Sequence, residues 1–265
     1  MTDDRLNAPL TSSASATKPD SLVEVRFIPR QYEPNYAYPL LVLFHGRGAN
    51  EDQLVRSMPS VSWRNYVALA LRGPEEVIKR DRLIGYDWGS AFDRPDSSKS
   101  RHHHSRRESE AEIVHKALHD TEPDPLAKLE ESIFTAIRRT RRLVHVHSER
   151  IFLVGSGEGA AVAYRLGLTY PERFAGVVAI NGWLPQGFRP LGRLKDCRQL
   201  PVLAVHGAWN SRVPLENAKR DIAGLRAGGL GVAFQAYPSA NRPTSPMLAD
   251  VDTWIMKHCT TETPL

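Results

Sequence analysis

Short apolar runs recur along the chain and alternate with longer segments whose apolar positions follow helical spacing. Residues 39–46, PLLVLFHG, form a continuous apolar run that ends at a glycine, which is typical of a strand buried on both faces of a sheet. Similar runs, or a strand-like alternation, predict strands over 21–29, 39–46, 65–74, 150–155, 176–182, 201–207 and 232–238.

Amphipathic segments lie between several of these strands. One of them, over 123–144, places four apolar side chains at helical spacing, namely Leu126, Leu129, Ile133 and Ile137. Further helices are predicted over 51–58, from 157 to near Pro171, over 214–229 and over 244–258. This alternation predicts an α/β fold in which a mostly parallel central sheet carries helices on both faces. Sites in such sheets form at the carboxyl ends of the strands.

Two polar stretches interrupt the pattern. Residues 1–20 are rich in Ser, Thr, Asp and Ala and are predicted to be a disordered N-terminal lead. Residues 92–123 carry charges of both signs and are predicted to be an insertion, helical around Ser109–His119. The remainder of 21–265 is expected to form one domain, with a loop at Gly85–Gly89.

The amino-acid composition limits the classes of binding partner and the cellular compartment that are expected for this protein. The net charge is +5, but the basic clusters at 101–107 and 138–142 have no interleaved aromatic residues, so nucleic-acid binding is not expected. No stretch has the ~20 apolar residues of a membrane span, and the N-terminus has no apolar signal region. Cys197 and Cys259 form no disulfide framework. These features together predict a cytoplasmic protein with reduced cysteines.

Five segments resemble one family in order and separation. They read LVLFHGRGAN, GYDWG, IFLVGSGEGAAVAYRLGLTYPERFAGVVAING, LPVLAVHGAWNSRVP and FQAYPSAN. They resemble the phospholipase/carboxylesterase group of α/β-hydrolases, which includes acyl-protein thioesterases. The resemblance implies an α/β-hydrolase fold and relatives that hydrolyse carboxylic esters or thioesters without a metal or cofactor.

The three positions that would carry the catalytic triad hold unsuitable residues. The nucleophile turn needs the frame small–x–nucleophile–x–small, which Gly155–Gly159 fits with Gly157 at its centre. By resemblance, the acid position is Asn210 and the base position is Asn241. Glycine has no attacking oxygen, and asparagine neither accepts a proton near neutral pH nor stabilises an imidazolium by charge. The sequence therefore predicts a non-catalytic pseudo-hydrolase.

Other parts of the site are expected to remain. The segment His45–Gly48 resembles an oxyanion-hole loop, whose donors would be the backbone N–H groups of Arg47 and Glu158. The predicted pocket also includes His45, Gly46, Trp88 and Ser156. This cleft would bind a small acyl or carboxylate ligand, unless Arg47 and Glu158 pair and close it.

Several alternatives stay open at this stage. An active carboxylesterase or thioesterase could use an improvised nucleophile, for which Ser156, Ser211 and Ser239 are the candidates. The turn GSGEGA also fits a dinucleotide fingerprint, although the next strand ends in Asn181 rather than an acidic residue. The histidines of the insertion, His102–His104, His115 and His119, lack an obvious ligand set, so no metal site is predicted. The chain is expected to be a monomer or a homodimer.

Overall fold

A seven-stranded sheet forms the centre of the protein. The computed structural model describes residues 22–94, 125–185 and 194–260. The sheet strands are β1 Glu24–Phe27, β2 Tyr38–Phe44, β3 Val67–Leu71, β6 Val146–Ser156, β7 Gly176–Ile180, β8 Val202–Gly207 and β9 Val232–Tyr237. Their order across the sheet is β1-β3-β2-β6-β7-β8-β9. All neighbours pair in parallel except β1, which runs antiparallel to β3 at the edge. The predicted mostly parallel sheet is therefore confirmed.

Alternation along the central strands creates two apolar faces. In β2, Leu40, Val42 and Phe44 join one core cluster, whereas Leu41 and Leu43 join the other. Both faces need a helical cover, because a parallel sheet is buried on both sides. The helices are α1 Asp52–Val55, α2 Met58–Val61, α3 Pro125–Leu143, α4 Glu158–Thr169, α5 Leu194–Cys197, α6 Leu215–Ala227 and α7 Ser245–Thr260. Buried side chains of α3, α4 and α6 belong to the first cluster, and those of α1, α2 and α7 belong to the second.

The predicted loop at Gly85–Gly89 is wrong in part. Strands β4, Glu75–Lys79, and β5, Arg82–Asp87, form a separate antiparallel hairpin that includes Gly85 and Asp87. Its two turn residues, Arg80 and Asp81, both adopt positive φ angles, of 51° and 57°. Two such residues match the twist of a two-residue hairpin turn. Neither is a glycine or asparagine, so the usual sequence signal for this turn is missing.

Two other element predictions need correction. The helix predicted over 51–58 is broken into α1 and α2, with Arg56 and Ser57 between them and Pro59 in the first turn of α2. Strand β6 is also longer than predicted and includes His147. The predicted N-terminal lead and nearly all of the predicted insertion lie outside the described residues. Within those residues, no helix has the length and apolarity that a membrane crossing requires.

Candidate functional site

The sharp turn between β6 and α4 lies at the carboxyl end of the sheet. Gly157 occupies it with φ 58° and ψ −119°, a conformation that side-chain-bearing residues rarely adopt. Its N–H donates to the carbonyl oxygen of Ile180 at 2.8 Å, which fastens the turn to the end of β7. This turn therefore holds its strained backbone by a hydrogen bond from the neighbouring strand.

Glycines on both sides of the turn are required by close backbone contacts. A Cβ placed at Gly155 would lie 2.1 Å from the carbonyl oxygen of Gly159, and one at Gly159 would lie 2.1 Å from that of Phe44. A Cβ at Gly157 would meet only the Cα of Gly46, at 3.7 Å, which is ordinary contact. Gly155 and Gly159 therefore have no room for a side chain, whereas Gly157, at the centre of the turn, has room for one.

Substitutions at Gly157 and at Gly159 are expected to lower the stability of the protein by different amounts. We expect Gly157→Ser to lower the free energy of unfolding by about 1–3 kcal/mol, because only the positive φ is penalised. Gly159→Ala should cost more than about 4 kcal/mol, because its Cβ meets backbone that cannot move aside. Urea unfolding of both variants beside the natural protein measures the difference. Equal losses, or a stabilised Gly157→Ser variant, would show that this description of the turn is wrong.

Asn210 and Asn241 lie in the loops after β8 and β9, and both side chains form local hydrogen bonds. The buried Asn210 Oδ1 accepts the N–H groups of Arg212 and Val213, each at 2.9 Å. The half-buried Asn241 Oδ1 accepts the N–H of Ser211 at 2.9 Å, and its Nδ2 donates to the Ser211 hydroxyl at 3.2 Å. The structure therefore brings these two loops together through Ser211, with both amides acting as loop braces.

The loop after β2 is held from beneath by buried side chains. The His45 ring bonds the Gly46 carbonyl oxygen through Nδ1 at 2.9 Å and accepts the Gly73 N–H at Nε2, also at 2.9 Å. The Trp88 indole donates to the His45 carbonyl oxygen at 2.8 Å. Gln53 accepts the Gly46 N–H at 2.8 Å. These contacts fix the backbone of residues 45–46 beside the turn at Gly157.

His45 and Trp88 brace the predicted pocket and expose little surface to it. His45 is 1% exposed, Trp88 is 2% exposed and Ser156, the last residue of β6, is 4% exposed. Burial lowers the pKa of His45, and its two ring contacts suit one neutral tautomer that donates from Nδ1 and accepts at Nε2. His45 is therefore a structural histidine, because both of its ring nitrogens form hydrogen bonds with backbone groups.

Arg47 is surrounded by carboxylates. Its guanidinium forms ion pairs with Asp87, at 2.8 Å, with Asp93, and with Glu158, at 3.7 Å. The expected pairing of Arg47 with Glu158 is therefore present, but it is the longest of the three contacts. Asp87 and Asp93 were not predicted as site residues, although Asp87 is part of the quoted GYDWG segment. The ion pairs with Asp87 and Asp93 connect the oxyanion-like loop to β5 and to the turn that follows it.

Glu158, the first residue of α4, is 1% exposed, and few contacts offset the cost of burying its carboxyl group. Its Oε2 accepts the Trp88 N–H at a long 3.3 Å, and Arg47 stays 3.7 Å from Oε1. Burial and the negative charge of Asp87 raise the pKa of Glu158 to about 8, against the opposing effect of Arg47. At neutral pH this side chain is therefore mostly a neutral carboxylic acid.

Two backbone donors face no partner at this end of the sheet. Among the described residues, neither the N–H of Arg47 nor that of Glu158 has a hydrogen-bond acceptor. These two N–H groups follow Gly46 and Gly157, and a Cβ placed at Gly157 would lie 3.7 Å from the Cα of Gly46. Paired N–H donors of this kind suit a carbonyl oxygen or an oxyanion.

A proton acceptor of the kind that activates a serine is missing from the described part of this site. The nearby His206 is 2% exposed, and its Nε2 bonds the Val213 carbonyl oxygen at 2.9 Å. Burial lowers the pKa of His206. Asn181 accepts the Gly207 N–H at 2.7 Å and so joins the ends of β7 and β8. These polar groups support the loops and leave no free base for a hydroxyl.

A sequence model of the phospholipase/carboxylesterase family matches residues 31–259, most of the chain. The chain belongs to this family. The resemblance found in the five motifs is therefore confirmed, together with the α/β-hydrolase fold that it implies.

Family members from fungi and plants are similar to parts of the chain. Acyl-protein thioesterase 1 of Gibberella zeae is 31% identical over 113 residues, covering 41% of this chain and 48% of that protein. Carboxylesterase SOBER1 of Arabidopsis thaliana is 23% identical, covering 48% and 60%. A probable inactive carboxylesterase of Oryza sativa subsp. japonica is 24% identical, covering 41% and 47%. The matched region thus spans about half the length of these curated relatives.

Solved structures of esterases share the whole fold. The Bacillus cereus carboxylesterase has a TM-score of 0.62 at 16% identity, covering 89% of this chain and 94% of that chain. Acyl-protein thioesterase 2 of Zea mays has a TM-score of 0.61 at 17% identity, covering 89% and 98%. At such identities the likeness establishes the fold of this family member and not its activity.

Proposed function

We propose that this member of the phospholipase/carboxylesterase family is a non-catalytic pseudo-hydrolase whose cleft binds the carbonyl group of a small acyl ligand. One observation carries the proposal: the turn at Gly157 has no side chain but lies beside two backbone N–H groups without an acceptor. Such a site offers hydrogen bonds to a carbonyl oxygen and no group that attacks its carbon.

The proposed triad-equivalent positions support the loss of chemistry. A serine hydrolase needs a hydroxyl, a base that takes its proton and an acid that stabilises the charged base. At these positions stand Gly157, Asn210 and Asn241, and both amides already bond neighbouring backbone N–H groups. One relative of the chain is named a probable inactive carboxylesterase, so loss of activity in this family has a parallel.

The charge around the site favours a neutral acyl ligand over the carboxylate that the sequence also allowed. Arg47 is the cation next to the two N–H donors, and its guanidinium is paired with the carboxylates of Asp87 and Asp93. A ligand carboxylate would have to displace one of these two partners and would be repelled by the other. The carbonyl of an ester, thioester or amide needs only the two N–H groups.

An active esterase with unorthodox residues is the second candidate, and one contact favours it. Ser211 is exposed, and its hydroxyl accepts a hydrogen bond from Asn241 Nδ2 at 3.2 Å. Ser156 is buried within β6, and the hydroxyl oxygen of Ser239 is buried. Ser211 is therefore the strongest alternative nucleophile among the three serines, although an amide nitrogen donates to it and takes no proton from it.

The test is turnover of short-chain p-nitrophenyl esters by the purified protein of 265 residues. We expect a rate within a few-fold of the uncatalysed reaction, because no nucleophile–base pair exists at the site. The variants Ser211→Ala and Ser156→Ala should leave that rate unchanged. Rapid turnover that Ser211→Ala abolishes would establish the second candidate and overturn the first.

The cytoplasmic location and the oligomeric state stay predictions. Cys197 and Cys259 are both buried and form no disulfide within the described residues, which is compatible with the predicted reduced state. The choice between a monomer and a homodimer is open to measurement by size-exclusion chromatography.

A further inference from the structure

The loop after β8 carries a highly exposed tryptophan. Trp209 is 69% exposed, more than any other large apolar side chain among the described residues. Within those residues, no aromatic ring and no cation packs on its indole. By contrast, Trp63 is 39% exposed, and the guanidinium carbon of Arg30 lies 4.8 Å from its ring centroid. The indole of Trp209 therefore offers a face on which a ligand ring can stack, whereas a cation already covers that of Trp63.

The backbone that carries this tryptophan is braced. The Trp209 N–H donates to the Ser239 carbonyl oxygen at 2.9 Å, which joins the loop after β8 to the loop after β9. The next residue, Asn210, is buried, and its Oδ1 accepts the N–H groups of Arg212 and Val213. An indole has only two rotatable bonds, so it loses little conformational entropy when a ring stacks on it. On a braced loop, Trp209 is thus a preformed stacking surface.

Two arginines belong to the same pair of loops. The loops touch at Ser211, and Arg212 is the next residue along the chain. Arg242 belongs to the loop after β9, one residue beyond the amide that bonds Ser211. Both arginines are exposed, and neither forms an ion pair with another described residue. Residues 208–214 and 238–244, here called the loop rim, contain no acidic residue, so the rim carries two positive charges.

The Ser211 hydroxyl adds a hydrogen-bond donor to these cations. Its oxygen accepts the Asn241 Nδ2 at 3.2 Å, so the hydrogen of the hydroxyl is left to donate to a ligand. The Ser211 side chain is exposed. A guanidinium binds the oxygens of a phosphate through two parallel hydrogen bonds, and a hydroxyl can donate to a further oxygen. The loop rim therefore combines donors and charge for a phosphate with an aromatic face for a ring.

We propose that the loop rim binds a nucleoside phosphate, with its base stacked on Trp209 and its phosphate held by Arg212 and Arg242. Every nucleobase has a flat face that can stack on an indole. An uncharged aromatic ligand would leave the two arginines without a partner, and inorganic phosphate would leave the indole uncovered. A strand of nucleic acid needs stacking surfaces for successive bases, whereas the loop rim contains one aromatic residue, which suits a single base. Binding at this rim does not require the carbonyl site at Gly157.

The experiment is isothermal titration calorimetry of the protein with adenosine monophosphate, beside adenosine and inorganic phosphate. We expect the nucleotide to bind more tightly than either of its parts, and less tightly as salt is added. Trp209→Ala should weaken binding at least about tenfold through the loss of base stacking, and should keep its melting temperature because the side chain is exposed. The variant Arg212→Gln, Arg242→Gln should also lose at least about tenfold. The control Arg141→Gln, Arg142→Gln removes the same charge at the exposed C-terminal end of α3 and should bind like the natural protein.

A second measurement reports on the indole itself. Tryptophan fluorescence should fall when adenosine monophosphate is added, because a stacked base quenches the ring. The fall should disappear in Trp209→Phe and persist in the matched control Trp63→Phe. The proposal is overturned if the natural protein binds the nucleotide no more tightly than inorganic phosphate, or if the Trp209 variants bind it unchanged. A single-stranded oligonucleotide that binds far more tightly than the nucleotide, and loses that gain in the Arg141→Gln, Arg142→Gln variant, would assign the basic surface to nucleic acid instead.

Discussion

The variant Gly157→Ser, Asn210→Asp, Asn241→His is expected to hydrolyse short-chain p-nitrophenyl esters at least about 100-fold faster than the natural protein. In a working serine hydrolase, loss of the whole triad costs about 10⁶ in turnover. We expect only part of that factor to return, because catalytic groups must lie within about 0.5 Å of productive geometry and nothing else in this site is rebuilt.

The structure has room for each of the three changes. A Cβ at Gly157 meets only Gly46 Cα, at an ordinary contact distance of 3.7 Å, so a side chain can begin there without a clash. The Asn210→Asp change keeps the acceptor that bonds the N–H groups of Arg212 and Val213. Asn241 is half-buried, so part of an imidazole ring at this position would face solvent. The loops after β8 and β9 already touch through Ser211, so the two partners of the serine lie in adjacent loops.

The matched control is the double variant Asn210→Asp, Asn241→His, which restores the acid and the base without the nucleophile. It should stay as slow as the natural protein, and the gain of the triple variant should disappear after treatment with a serine-reactive phosphonate. A gain would also show that the cleft admits an ester carbonyl, which the proposed ligand site requires. A triple variant that folds but remains silent would count against the proposed triad positions.

The variant Glu158→Gln should be more stable than the natural protein, and increasingly so as the pH rises. Burial raises the pKa of Glu158 from its usual 4.5 to about 8, so the folded protein retains a proton that the unfolded chain releases. This contribution to the free energy of unfolding is fully present below pH 4.5. It declines as the pH rises and is lost above about 8, by at most ~5 kcal/mol.

Glutamine imitates the protonated acid and keeps an acceptor for the Trp88 N–H, so it avoids this loss. Urea unfolding between pH 5 and pH 9 should therefore give nearly equal stabilities at the acid end and a gain of a few kcal/mol at the basic end. The exposed Glu216 of α6 provides the control, since Glu216→Gln makes the same change on the surface of the protein. A Glu158→Gln variant that loses stability at pH 9 would mean that the carboxylate and Arg47 stabilise each other more than burial costs.

How far the sequence could predict this site depends on the range of the interactions. The turn at Gly155–Gly159 could be predicted from the sequence because its tight backbone requires small residues at fixed positions within five consecutive residues. The sheet could be predicted because each strand is a local apolar run. In β2, alternate side chains belong to the two different core clusters. The hairpin was missed because its turn uses Arg80 and Asp81, which carry no turn signal despite their positive φ angles.

By itself, the sequence determined the α/β-hydrolase fold, the glycine at the turn and the amides in the loops after β8 and β9. Only the tertiary structure decided the state of Arg47, because its partners Asp93 and Glu158 lie 46 and 111 residues away along the chain. It also decided the protonation of Glu158, since that depends on burial against Trp88, 70 residues earlier. Local patterns record what a backbone segment requires, whereas charge and desolvation depend on which distant segments the fold brings together.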